Sequence, residues 1–128
     1  MKLPKPRYNE AKIKKKLRKI ADNLWHLRCF KIYGNKCEVC GEKANQVHHF
    51  YFKNSCPHLR YDLDNGLPLC IKCHAKLHFK DTKLVESLII KKRGQKWFNK
   101  LEKKSKIKLS SYQTIEWYQQ NILNLKGK

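Results

Sequence analysis

At 128 residues the chain has room for one domain, or for one small core with helical extensions. Thirty lysines and arginines against ten acidic residues leave a net charge of +20, a field that favours a polyanionic partner such as DNA or RNA. No apolar run approaches the ~20 residues of a spanning helix, which argues against a membrane partner.

Residues 1–8 are basic and proline-containing and are expected to form a loose tail. They lack the apolar core of a secretion signal, so a reducing cytoplasm is the expected setting. From Asn9 to about Phe30, Ile13, Leu17, Ile20, Leu24 and Leu27 recur at spacings of four and three, one stripe of an amphipathic helix. Lys12, Lys14, Lys15, Lys16, Arg18 and Lys19 lie off that stripe, either solvated or against phosphates. Trp25, His26 and Phe30 are expected to pack on the cysteine module that follows, with His26 structural. Helix and turn (Gly34-Asn35) together occupy 9–36.

A core follows over 37–80. Gln46–Tyr51 contains Val, His, Phe and Tyr and suits a short strand. Lys53–Tyr61 is polar, broken by Pro57, and reads as a loop in which His58 is a surface group or a phosphate contact. Asn65-Gly66 signals a turn before LPL enters the second cysteine pair. From Ile71 a helix is expected, with Cys73, His74, Leu77 and His78 sharing one side. The extension over 81–128 reads as helical and belongs to the same structural domain. Thr82 can cap a helix Lys83–Arg93 whose apolar face is Leu84, Val85, Leu88 and Ile89, and Gly94 ends it. A further helix over Gln95–Lys104 carries Trp97, Phe98 and Leu101. Ser110 or Ser111 can cap a last helix striped by Ile115, Tyr118, Ile122 and Leu125.

Cys37, Cys40, Cys70 and Cys73 form C-x2-C-x29-C-x2-C. Two residues between thiolates let both reach one ion from a tight turn, and two such turns complete a closed, structural Zn2+ shell. Six cysteines without a secretion signal read as metal ligands rather than three disulfides, leaving Cys29 and Cys56 as buried or half-buried free thiols. The 29-residue gap holds further chemistry. In a strand, neighbouring side chains point to opposite faces, so one imidazole of His48-His49 can face a metal while the other faces a substrate water. His74 and His78, four apart on a helix, can bind the same ion. The Asn65 amide is suited to fixing backbone through hydrogen bonds.

With C-x2-C, VHH, an Asn after a loop and C-x2-CH in this order, Cys37–His78 resembles the HNH endonucleases over about a third of the chain. That resemblance implies the ββα-metal fold, two antiparallel strands and a helix clasping one catalytic ion. The expected fold class is therefore α+β and mostly helical: such a core stapled by the four-cysteine zinc site, with an N-terminal amphipathic helix and C-terminal helices. By position, the resemblance implies His49 as general base and His48 and His74 as metal ligands, His48 standing where many members have Asp. Asn65 would orient the base-bearing loop, and His78 would be a third ligand. The expected ion is Mg2+ or Mn2+ in preference to Zn2+ or Ni2+. Arg60 is either a clamp for the scissile phosphate or an ordinary surface cation. Lys12, Lys15, Lys16, Lys19, Lys53 and Lys76 are the candidate nucleic-acid contacts.

The run HHF, a loop, RYDLDNGLPLCIKC and a helix ending LIIKKRGQKWFNKL is also similar to the phage recombination endonucleases called NinG or Rap. This likeness implies branched recombination intermediates as substrate and a bacterial or phage-infected cytoplasm. A two-fold homodimer would let both strands of a junction be cut. The competing readings are a non-catalytic zinc-ribbon module that binds nucleic acid and an RNA-associated zinc protein.

Overall fold

The structure, a computed structural model, describes residues 9–107 and 112–127. Among these residues it is mostly helical, with five α-helices and one two-stranded antiparallel sheet, an α+β arrangement. No helix among them is long and apolar enough to cross a membrane.

Helix α1 runs over Glu10–Tyr33. Asn9 caps it, its side chain accepting from the Lys12 amide, and Gly34 closes it through an N–H to the Phe30 carbonyl. The buried face is Ala21, Trp25 and Cys29, with Leu17 and Leu24 half-buried. The expected stripe is thus rotated: Ile20 and Leu27 are 45% and 66% exposed. The reason is steric. Where α1 approaches the sheet, small residues are needed, and a Cβ added to Gly66 would collide with Cys29 Sγ and lie 3.2 Å from both Trp25 and Val47.

Strand β1 (Gln46–His49) pairs with β2 (Gly66–Leu69), in the register Gln46–Leu69, Val47–Pro68, His48–Leu67 and His49–Gly66. This sheet of two four-residue strands separates two cores. Paired residues share a face, so Val47, His49 and Gly66 look toward α1. There they meet Trp25, Cys29 and Tyr61, with Tyr118, Ile122 and Leu125 of helix α5 (Ile115–Lys126) completing the cluster. His48, Leu67 and Leu69 look the other way. On that side Leu67, Leu69, Leu77, Val85, Ile89 and Leu101 form the second cluster. Full burial of such side chains is worth about 1.5–3 kcal/mol each.

Helix α2 (Ile71–Ala75) continues as a π-helical turn over Lys76–Lys80, which supplies Leu77. Helix α3 (Thr82–Arg93) buries Val85 and Ile89, but Leu84 and Leu88 remain 56% and 43% exposed, so only half of the expected apolar face turns inward. Thr82 does not cap this helix. Its hydroxyl donates instead to the Leu77 carbonyl at 2.6 Å, tying α3 back to the π turn, and Asp81 stands at the N-cap without a side-chain bond. Gly94, at φ 103°, takes a conformation that side chains disfavour and turns the chain into helix α4 (Gln95–Lys106). Ser110 and Ser111 lie outside the described residues; α5 is capped by Thr114, whose side chain accepts from the Trp117 amide.

Polar ties lock these layers together. Arg28 on α1 donates to the Leu125 carbonyl at 2.7 Å, a cation at the carboxyl end of α5. Arg93 at the end of α3 pairs with buried Glu38, donates to the Gly66 carbonyl at 2.6 Å and stacks on Tyr33 at 3.8 Å. His58 Nε2 donates to the Lys104 carbonyl at 3.0 Å, a structural role rather than a phosphate contact.

Candidate metal centre and histidine cleft

Cys37 and Cys40 sit in a tight turn between α1 and β1, where the Gly41 amide returns to the Cys37 carbonyl at 2.9 Å. Cys70 is the N-cap of α2 and its Sγ accepts from the Cys73 amide. The four Sγ atoms lie within 4.8 Å of one another, with Cys40 and Cys70 at 3.6 Å, and none is in a disulfide. A tetrahedral zinc with ~2.3 Å bonds places its sulfurs about 3.8 Å apart, so the cluster can hold one metal ion. Burial opposes ionisation of Cys37, but nearby backbone amides outweigh it and draw the thiol down to about 7, toward the thiolate a metal needs. Three of the four cysteines are buried and Cys40 is exposed.

A second cluster lies in an open cleft of about 670 Å³ that includes Asn23, His26, His48, His49, Lys53, His74 and His78 among its lining. His48 reaches it from the α2 side of β1, His74 from α2 and His78 from the π turn. One ring nitrogen from each of these three lies within 4.8 Å of the others, so the trio can converge on an ion. The rings of His48 and His74 stack at 3.6 Å, and Phe52 stacks on His78 at 4.4 Å. Burial, then the neighbouring imidazoles His74 and His78, push His48 down to about 3; burial and His78 lower His74 as well. Both therefore present neutral imidazoles, the form that binds metal.

His49, on the other face of β1, is held differently. Its ring lies flat on Trp25, centroids 4.3 Å apart and planes 6° from parallel. Its Nε2 is 2.9 Å from the Arg60 carbonyl. A carbonyl can only accept, so Nε2 carries the hydrogen and Nδ1 keeps a lone pair. Burial, partly offset by that carbonyl, lowers the His49 pKa to about 4 and keeps the ring neutral. A neutral imidazole with a lone pair, lining a cleft beside three metal-competent histidines, can accept a proton there.

Two further predicted residues shape this loop. Asn65 is fully buried, accepting from the Tyr51 amide at 2.7 Å and donating to the carbonyls of Tyr51 at 3.0 Å and Leu59 at 3.2 Å. It thereby ties the exit of β1 to the residue before Arg60. The Arg60 guanidinium pairs within the fold. Its Nε and Nη2 donate to the two carboxylate oxygens of Asp22 on α1, at 3.0 and 2.8 Å, a bidentate pair. Lys12, Lys15, Lys16, Lys19, Lys53 and Lys76 are all exposed, and Lys53 lines the cleft.

Sequence reasoning missed Asp22, Asn23, Phe52 and the stacking role of Trp25. One signal was available, since Asp22 and Glu10 are the only acids of a helix otherwise crowded with lysine. Compared with known proteins, the chain matches no family model, no curated protein and no solved structure.

Proposed function

We propose that the chain is a metal-dependent endonuclease of the HNH, or ββα-metal, kind that hydrolyses phosphodiester bonds in DNA. The observation that carries the reading is the convergence of His48, His74 and His78 beside neutral His49 in one cleft of a strongly basic chain. A structural zinc-binding module has no use for that second cluster.

His48, His74 and His78 would hold the catalytic ion, and when bound it would supply Lewis-acid stabilisation of the charge that develops on the phosphate. Three imidazole nitrogens with no carboxylate among them suit a borderline ion such as Zn2+ or Ni2+ better than Mg2+, which favours oxygen ligands and keeps its waters. On that donor set we place Zn2+ or Ni2+ ahead of the expected Mg2+ or Mn2+. His49 Nδ1 takes a proton from the attacking water, while the Arg60 carbonyl holds Nε2–H and Trp25 holds the ring plane. Asn65 keeps the loop that carries this carbonyl in place. The family resemblance implies 5′-phosphate and 3′-hydroxyl products, and the likeness to NinG and Rap implies branched DNA as substrate.

The test is cleavage of a four-way junction and of a linear duplex of matching sequence, with Zn2+, Ni2+, Mn2+ or Mg2+, for the wild type and His49→Ala. Metal-dependent cutting that falls about 10²–10⁴-fold in the variant, with DNA binding kept, is expected. A preference for the junction would support recombination intermediates. Binding without cutting of either substrate would overturn the reading in favour of a zinc-ribbon binding module.

A further inference from the structure

Helix α1 carries charge that its packing does not require. Lys12, Lys16, Lys19, Asn23 and His26 follow one another at spacings of 4, 3, 4 and 3. At 3.6 residues per turn they fall within an arc of about 80°, with Lys15 at its edge. The arc lies opposite Ala21 and Trp25, which are buried in the core. Its lower end, Asn23 and His26, lines the histidine cleft. Its upper part is a ladder of four exposed lysines that leads directly out of that cleft.

Three cations on the other faces of α1 are already committed. Lys14 pairs with Glu10 at 3.4 Å, Arg18 bonds the Tyr118 hydroxyl at 3.1 Å, and Arg28 caps α5. Asp22 is held by Arg60. Lys12, Lys15, Lys16 and Lys19 pair with no carboxylate among the described residues, and no acid of α1 lies on their arc. A row of uncompensated ammonium groups matches the phosphates of a nucleic-acid strand. A lipid surface is a poorer match, because most of the apolar face of α1 packs on the protein core and only Ile20, Leu27 and Ile32 remain as large exposed apolar side chains on it.

We propose that this ladder is a rail on which one strand of a DNA duplex runs away from the cleft, giving the protein a one-sided grip on its substrate. The inference rests on the cleft being where the strand is cut. From Asn23 to Lys12 the helix rises about 16 Å. At 3.4 Å per base pair that spans about 5 base pairs to one side of the scissile phosphate.

The experiment replaces Lys12, Lys15, Lys16 and Lys19 together by Gln. A control replaces four exposed lysines of α3 and α4, Lys83, Lys91, Lys96 and Lys103, removing the same charge elsewhere. Affinity for a short duplex is measured against salt in the His49→Ala background, so that the DNA stays intact. The rail variant is expected to lower the slope of log K against log salt by about 3–4, and the control by about 1 or less. Wild-type affinity should drop when the duplex is trimmed below about 5 base pairs on one side of the cut, a dependence the rail variant lacks. Equal slopes for the two variants, or equal sensitivity to trimming on either side, would overturn the rail. Loss of cleavage alone does not bear on the salt slopes: no cutting by wild type with unequal slopes removes the nuclease reading, whereas cutting with equal slopes removes only the rail.

Discussion

His49 shows how much of a side chain's chemistry is decided by groups around it. Its tautomer is set by one carbonyl and its ring plane by Trp25. The carbonyl belongs to Arg60, whose side chain is fixed in turn by Asp22, 38 residues earlier in the chain. Asp22 therefore acts on the proposed base without touching substrate. Asp22→Asn keeps the shape and removes the charge that holds the guanidinium. The expected outcome is a fall in kcat of about 10-fold or more with KM little changed, in line with outer partners of catalytic groups. The ¹⁵N spectrum of His49 should show the pure Nε2–H tautomer of the wild type giving way to a mixture. An unchanged kcat and an unchanged spectrum would show that the ion pair is only a fastening of α1.

At the scale of elements, the contact between α1 and β2 is a close one. Gly66 has no room for a side chain because Cys29 Sγ occupies it. Gly66→Ala should cost about 1–3 kcal/mol in denaturant unfolding, as overpacking does, and Cys29→Ala in the same chain should return part of the loss. Additive losses would mean that the strain lies elsewhere. This joint also explains what could and could not be read from the sequence. Strand β1, the cysteine turns and most helix spans were legible, because a short β-branched and aromatic run, Gly breaks and Cys-x-x-Cys spacing carry local signals, whereas β2, GLPL, carries no such run. The orientation of α1 was not. Counting aliphatics favours Ile20 and Leu27, whereas the packed face depends on the smallness of Ala21 and Cys29, which matters only once the sheet is in place. Thr82 likewise looked like a cap and serves as a tie to Leu77, a partner that exists only because the preceding turn is π-helical. The ion pair of Arg60 was invisible for the same reason: nothing local links position 60 to Asp22.

For the whole molecule, the four-cysteine cluster is built into one of the two cores. It joins the turn after α1 to the start of α2, and Cys37, Cys70 and Cys73 are themselves members of that core. Removing the metal with a chelator, or replacing Cys70 by Ser, should lower the melting temperature by at least ~10 °C, since metal binding supplies several kcal/mol to a small fold. A serine hydroxyl can still cap α2 at this position, so Cys70→Ser reads the loss of a metal ligand. A variant that melts like the wild type and retains one zinc per chain would refute the structural role of the cluster.

The sheet has a consequence for how this protein can fail. His48 and His49 are neighbours in sequence, yet one is fastened to the core under α2 to α4 and the other to the core under α1 and α5. A single peptide bond sets the spacing between the proposed ligand and the proposed base, while the two rings take their orientation from separate packing units. Damage to one unit need not spread to the other. Lesions around Tyr118 and Ile122 should disturb the proposed base and leave the proposed ligands His48, His74 and His78 in place, and lesions around Ile89 and Leu101 should do the reverse. On the proposed reading the chemistry is split along the strand, so its two halves are open to independent wear.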